Sequence, residues 1–200
     1  MKKSRWTYTR LKAGDRINAL YDMAYYWSPF RKEYQPAAPR ECPFCDESLM
    51  RQQAVKSNAG VIMENEHYRW VVNWYPKFEG HTLVVPKRHI LSFEEETNEE
   101  VLARHELITR AACLLPAVYE NAGVEIFLQH GKGSEASIPH FHWHIVPAQE
   151  DDHLRGFTKL GHFHTMDEKE EKVLIFPAKI KYAREELQDA LSKVIDENRR

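Results

Sequence analysis

The chain has 200 residues, of which 28 are basic and 30 are acidic, so its formal net charge at pH 7 is only −2. A protein this close to neutral lacks the broad positive field that attracts nucleic acid, so any nucleic-acid partner would be small or locally bound, and we expect none. No segment has the length and apolar character of a membrane span, and no apolar stretch follows the basic N-terminus, so we expect a cytoplasmic protein without a membrane anchor.

A closely spaced cysteine pair follows the first forty residues. Residues 1–40 are rich in aromatic and basic side chains, and we treat them as an N-terminal extension. The run QPAAPRE then leads into CPFC, which holds Cys42 and Cys45. In a chain without a leader this spacing indicates metal or redox chemistry before a structural disulfide. A thioredoxin-like redox role is disfavoured, because no strand runs directly into a helix at the motif.

The middle of the chain predicts strands on both sides of one long helix. Apolar runs bounded by turn residues predict strands at residues 60–64, 68–74, 80–89 (ending at Pro86), 125–129 and 140–146. Thr97 and Glu100 form a capping box, which predicts a helix from Asn98 to about Tyr119 that Pro116 kinks or ends. A terminal helix is expected from about residue 183 to 197. This order predicts an α+β fold, an antiparallel sheet covered by the long helix.

Three histidines alternate along the run HFHWHIV, at His140, His142 and His144. In a strand they would share one face, while the large apolar residues between them face the core. With 11 histidines in 200 residues, such a triplet is expected by chance only about 0.03 times. The outer two would stand about 13 Å apart, too far to share one metal ion. A row of this length is better suited to an extended anion such as a polyphosphate, with the middle imidazole as a nucleophile for phosphorus.

The same residues resemble the histidine triad (HIT) family. HFHWHIV fits its pattern of three histidines alternating with apolar residues, and GHTLVVPKRHI fits the segment before its long helix. The resemblance spans about residues 41–148. With YYWSPFRKEY at 25–34 followed by CPFCD, the chain looks like the longer bacterial branch, which includes dinucleoside-polyphosphate hydrolases and phosphorylases. It implies a HIT-like catalytic core at 41–149, a C-terminal extension at 150–200 that contains the terminal helix, and a homodimer.

The resemblance also implies roles for individual residues. His142 would attack an α-phosphate and become nucleotidylated, His144 would contact the phosphate and assist the leaving group, and His140 would orient the row. The implied substrate-binding residues are Gln129 and Ser137 for phosphate, Asn73 for the ribose hydroxyls and Phe44 beside the base. Lys87 and Arg88 either attract a polyphosphate or belong to a solvated turn.

Zinc-bearing relatives combine a cysteine pair with two histidines, and the matching set here is Cys42, Cys45, His89 and His140. Such a Cys₂His₂ set is closed and therefore structural. Two alternatives stay open: the cysteines are simply reduced, or His140 only orients His142. Mg²⁺ would enter only with the substrate.

The sequence therefore predicts a nucleotide hydrolase or nucleotidyltransferase that cleaves a phosphoanhydride or phosphoramidate of a (di)nucleoside polyphosphate through a nucleotidyl-histidine on His142. The alternative is a zinc-stabilised nucleotide-binding module without turnover. An enzyme acting on nucleic-acid ends is a weaker third hypothesis, because it would need a basic groove.

Overall fold

The computed structural model describes residues 42–46, 60–73, 76, 78, 80–119, 123–134, 136–148, 156 and 177–197. In the last of these segments it describes side chains only from residue 187 onward. Within these ranges the strands are β1 Val61–Glu64, β2 Tyr68–Val72, β3 Thr82–Pro86, β4 Gly123–Leu128 and β5 Trp143–Ala148. The helices are a 3-10 turn Phe93–Glu95, α1 Asn98–Val118 and α2 Pro177–Glu197. None of the described helices is long and apolar enough to span a membrane.

The five strands form one antiparallel sheet in the order β1-β2-β3-β5-β4. Strand β5 lies between β3 and β4, so His144 has Leu83 opposite it on one side and Phe127 on the other. This is the α+β sheet-and-helix architecture predicted from the order of elements.

One face of the sheet packs against α1. Helix α1 turns an apolar stripe toward the sheet at a spacing of three or four residues: Leu107, Ala111, Leu114, Leu115 and Val118. Tyr68 and Trp70 from β2 and Ile145 from β5 meet this stripe and are fully buried. Each buried side chain of this size contributes about 1.5–3 kcal/mol, so this layer is the main source of stability.

The terminal helix α2 joins the same core. Its Leu187, Leu191 and Val194 are buried in the same cluster as the apolar stripe of α1. The helix begins at Pro177, about six residues before the predicted start, because proline is well tolerated in the first turn of a helix. The boundary between core and C-terminal extension stays a prediction, and residues 1–40 lie outside the described residues.

The opposite face of the sheet is lined by a smaller apolar group and by histidines. Phe44 packs there against Val71, Leu83 and Val85, and all four are buried. Side chains alternate along each strand, so the residues of this face lie between those that pack on α1. The sheet thus separates a structural core from a polar site.

The start and end of α1 follow the sequence prediction. Thr97 Oγ1 accepts a hydrogen bond from the Glu100 N–H, and the Glu100 carboxylate accepts one from the Thr97 N–H at 2.8 Å, so the capping box is confirmed. The helix ends at Val118, two residues after Pro116.

Candidate active site and metal-binding group

The three histidines of the triplet lie close together, but only His144 belongs to a strand. Strand β5 begins at Trp143, so the predicted strand start at residue 140 is wrong. The physical reason is that these backbone groups bond elsewhere: the Phe141 N–H donates across the fold to the carbonyl of Ile90, and the His140 N–H donates locally to the carbonyl of Ile138. The extended path still places the His142 and His144 rings on the same side, with centroids 4.8 Å apart.

The ring of His142 has its tautomer set by a backbone oxygen. Its Nδ1 lies 2.6 Å from the carbonyl oxygen of His140, and a carbonyl can only accept a hydrogen bond. The proton of neutral His142 therefore lies on Nδ1, and Nε2 carries the lone pair. His142 is 5 % exposed, so the ring is also held firmly in place.

A fourth histidine, His81, completes the group, although sequence reasoning assigned it no role. It is 1 % exposed, and its Nε2 lies 2.8 Å from Nδ1 of His144. One proton must lie between these two nitrogens, so the two rings share it. The available signal was alternation along β3, which places His81 on the same face as Leu83, the partner of His144.

Asn73 contacts the ring of His81. Its side-chain amide nitrogen is 3.2 Å from Nε2 and 3.3 Å from Nδ1 of His81, and its backbone N–H donates to the His81 carbonyl. Asn73 is buried, and its predicted contact with ribose stays a prediction.

The other predicted substrate-binding residues lie around the histidines or on the adjacent loop. Phe44 contacts the rings of His140 and His142, with centroids 5.5 and 5.2 Å away. The Gln129 amide donates to the carbonyl of Ser134 at 2.7 Å and so ties down the loop after β4. Ser137 is exposed on the same loop. The phosphate contacts predicted for Gln129 and Ser137 stay predictions.

Cys42, Cys45, His89 and His140 form one group, as the zinc prediction requires. Their ligand atoms all lie within 4.8 Å of one another. Sγ of Cys42 is 3.2 Å from Nδ1 of His140, Sγ of Cys45 is 3.2 Å from Nδ1 of His89, and the two Nδ1 atoms are 3.2 Å apart. Tetrahedral zinc bonds of about 2.0–2.3 Å place neighbouring donors about 3.3–3.8 Å apart, so the group fits a zinc ion.

The hydrogen bonding of the His140 ring directs its Nδ1 toward the position such an ion would take. Its Nε2 donates to the carbonyl of Pro86 at 3.0 Å, which leaves the Nδ1 lone pair directed at the two cysteines. Burial is the main reason why the pKa of His140 falls to about 4, with His89 and His142 adding to it. His140 is therefore neutral near pH 7. It lies in the Cys₂His₂ group, and its backbone carbonyl accepts the hydrogen bond from Nδ1 of His142.

Lys87 and Arg88 are engaged in ion pairs of the fold. Lys87 lies 3.2 Å from the Glu64 carboxylate. Arg88 binds the Glu100 carboxylate through two nitrogens, at 2.9 and 2.8 Å, and donates to the carbonyl of Glu95. The structure favours a structural role for both cations over attraction of a polyphosphate.

Comparison with known proteins agrees with this geometry. Residues 55–151 match the family model described as HIT domain. An uncharacterised HIT-like protein of Mycoplasma genitalium is 33% identical over 109 residues, which cover 54% of this chain and 74% of that relative. The bis(5'-adenosyl)-triphosphatase of Dictyostelium discoideum is 29% identical over 82 residues, which cover 41% of this chain and 55% of that protein.

The fold has solved counterparts. The crystal structure of a hypothetical histidine triad nucleotide-binding protein from Sulfolobus tokodaii superposes with a TM-score of 0.53, covering 76% of this chain and 93% of its own, at 18% sequence identity. At that identity the likeness shows the fold alone. The M. genitalium relative and the matched domain show that this chain belongs to the HIT, or histidine triad, family.

Proposed function

We propose that this protein is a nucleotide hydrolase or nucleotidyltransferase that cleaves a phosphoanhydride or phosphoramidate of a (di)nucleoside polyphosphate through a nucleotidyl-histidine intermediate on His142. The observation that carries the proposal is the 2.6 Å contact of His142 Nδ1 with the carbonyl oxygen of His140, because it leaves Nε2 as the nucleophilic atom. The D. discoideum relative is a bis(5'-adenosyl)-triphosphatase, and this supports the substrate class.

In the first half of the reaction, the Nε2 lone pair of His142 forms a bond to the α-phosphorus. The bond from that phosphorus to the leaving oxygen or nitrogen breaks, and its electron pair stays on the leaving atom. His144 gives that atom a proton, and because His81 engages Nδ1 of His144, we assign the transferred proton to Nε2. The shared proton between His144 and His81 stays in place, so a protonated His144 becomes neutral.

In the second half, water adds to the phosphorus and gives a proton to His144. The phosphorus–nitrogen bond breaks, its electron pair returns to Nε2 of His142, and a nucleoside monophosphate leaves. If inorganic phosphate replaces water as the acceptor, the product is a nucleoside diphosphate and the enzyme is a phosphorylase.

Zinc would have a supporting role in this scheme. Cys42, Cys45, His89 and His140 would hold it, and when bound it would join the segment before β5 to the segment after β3. The backbone carbonyl of His140, which orients His142, lies in one of the joined segments. A homodimer, a cytoplasmic location and Mg²⁺ bound with the substrate stay predictions.

The test is chromatography of nucleotides after incubation of the pure protein with diadenosine tetraphosphate, with and without inorganic phosphate. AMP with ATP formed without phosphate identifies a hydrolase, and ADP with ATP formed only with phosphate identifies a phosphorylase. We expect His142→Ala to abolish either reaction, because no other atom replaces Nε2. Equal turnover by wild type and His142→Ala would disprove the proposed mechanism.

A second candidate function is nucleotide binding without turnover. It is favoured if wild type and His142→Ala bind nucleotide equally well and neither cleaves dinucleoside polyphosphates or phosphoramidates. Isothermal titration calorimetry with AMP on both proteins, combined with the turnover assay, separates the two candidates.

A further inference from the structure

Phe127 lies directly beside His144, and neither the sequence pattern nor the proposed chemistry assigns it a role. It stands on β4 opposite His144 on β5, on the face that carries the histidines. The two rings are stacked, with centroids 4.7 Å apart and planes only 8° from parallel. Phe127 is half-buried, and its centroid is 6.5 Å from that of His81.

Besides Phe127, two histidine rings contact His144. His81 holds its Nδ1 at 2.8 Å, and the ring of His142 approaches at 4.8 Å and 62°. A hydrogen bond at one nitrogen leaves the imidazole free to tilt about that bond. A flat ring packed against the imidazole face removes this freedom, which an aliphatic side chain of similar volume would restore in part.

An aromatic face also suits the charge that His144 must carry. A protonated imidazole is attracted to the electron-rich face of a benzene ring. Leucine offers no such attraction and excludes water from the ring just as well.

We propose that Phe127 is a positioning residue for His144: its ring holds the imidazole in the orientation from which Nε2 delivers the proton to the leaving group. The inference rests on the proposed function for the identity of the proton acceptor. Phe127 itself touches His144 and acts through it.

The kinetic test compares the phenyl and p-nitrophenyl esters of AMP. Phenolate is the more basic leaving group and needs the proton, whereas p-nitrophenolate leaves readily without it. We expect Phe127→Leu to lower kcat about tenfold on the phenyl ester, with KM within about twofold, and to change kcat on the p-nitrophenyl ester less than about twofold. Phe127→Tyr keeps a flat ring and should restore the wild-type ratio of the two rates.

Phe93→Leu is the matched control. Phe93 is 45% exposed on the 3-10 turn, where it packs against Phe141 and Trp143, away from the histidine face. Its substitution should leave the ratio of the two rates unchanged. A ratio in Phe127→Leu that equals the wild-type ratio would overturn the proposal.

A spectroscopic measurement keeps this inference separate from the proposed function. In protein labelled with ¹⁵N-histidine, the ring nitrogen shifts of His144 report where its protons lie, whether or not any nucleotide is cleaved. We expect Phe127→Leu to shift or broaden these signals and Phe127→Tyr to retain them. Signals of Phe127→Leu that coincide with wild type would refute the positioning role, whereas altered signals in a protein that cleaves no nucleotide would refute only the proposed function.

Discussion

Single residues set the chemistry of the sheet face that carries the histidines, and His81 is one of them. Sequence reasoning named the triplet but not His81, because a single histidine in a predicted strand has no pattern of its own. Its role depends on the register of β3 with β5, which brings two residues 63 positions apart to within 2.8 Å. Pairing of this kind is decided by the whole sheet and is not encoded in a local motif.

Removal of His81 should weaken proton delivery by His144. We expect His81→Ala to lower kcat about 100-fold, because His144 loses the partner that holds its Nδ1. His81→Gln, whose amide can reach a similar position, should recover part of this loss. His105→Ala, a change at an exposed position of α1, is the control. Steady-state kinetics showing no difference between His81→Ala and His105→Ala would contradict the assigned role.

Position 80 needs glycine because its backbone is left-handed and because two neighbouring side chains leave no room for a Cβ atom. Its φ is +69°, and a Cβ atom there would lie 2.6 Å from Cγ of Pro147 and 2.7 Å from the ring of Tyr119. Left-handed backbone costs about 1–2 kcal/mol and overpacking about 1–3 kcal/mol, so Gly80→Ala should lower the free energy of unfolding by about 3 kcal/mol. Gly123→Ala is the matched control, since its Cβ would approach nothing closer than the Ala148 oxygen at 3.8 Å. Urea denaturation that gives equal stabilities for the two variants would contradict this view of Gly80.

At the scale of elements, prediction succeeded where the signal is local. The capping box, the long helix and the alternating strands were all found, because each depends on neighbours within a few residues. The start of β5 was placed three residues too early, because the bond from the Phe141 N–H to Ile90 is a contact across the fold.

The start of α1 also anchors the segment that carries His89. The Glu100 carboxylate accepts hydrogen bonds from the Thr97 N–H and from two nitrogens of Arg88, so one side chain caps the helix and holds the residue beside His89. The guanidinium of Arg88 is the main reason why the pKa of Glu100 lies below its ordinary 4.5.

This ion pair should make stability depend on pH in a defined range. A carboxyl with a lowered pKa in the folded state stabilises the protein above about pH 4.5, and this contribution is lost as the pH falls through the folded-state pKa. Glu100→Gln should therefore be less stable than wild type at pH 7, with a difference that shrinks below pH 4.5. Thermal unfolding across this range is the measurement, with Glu106→Gln on the exposed helix surface as the control. A difference that grows on acidification would contradict the assignment.

Across the whole molecule, the Cys₂His₂ group joins three parts of the chain that lie far apart in sequence. It brings together the CPFC segment, His89 in the segment that follows β3, and His140 in the segment that precedes β5. The ligand set was predictable only through the resemblance to a family, because the spacing of CPFC alone is also compatible with free thiols. The distances between donor atoms favour the metal.

Removal of the metal should therefore affect the whole molecule. We expect one zinc per chain in the purified protein, and a fall of roughly 10 °C or more in Tm after chelation, because the metal binds only the folded arrangement of ligands. Cys42→Ser should bind less zinc and show the lowered Tm, whereas Cys113→Ser in α1 should retain the metal. Metal analysis that finds no zinc, with a Tm unaffected by chelator, would exclude a structural metal here.

The central claim is that His142 carries the nucleotide during turnover. The most direct measurement is rapid acid-free quenching during turnover of diadenosine tetraphosphate, followed by intact and peptide mass spectrometry. We predict one adenylyl group on the peptide that contains residues 138–147, attached to His142 and absent from His142→Ala. Turnover with no adenylylated protein at any time, or with the group on another residue, would contradict the account.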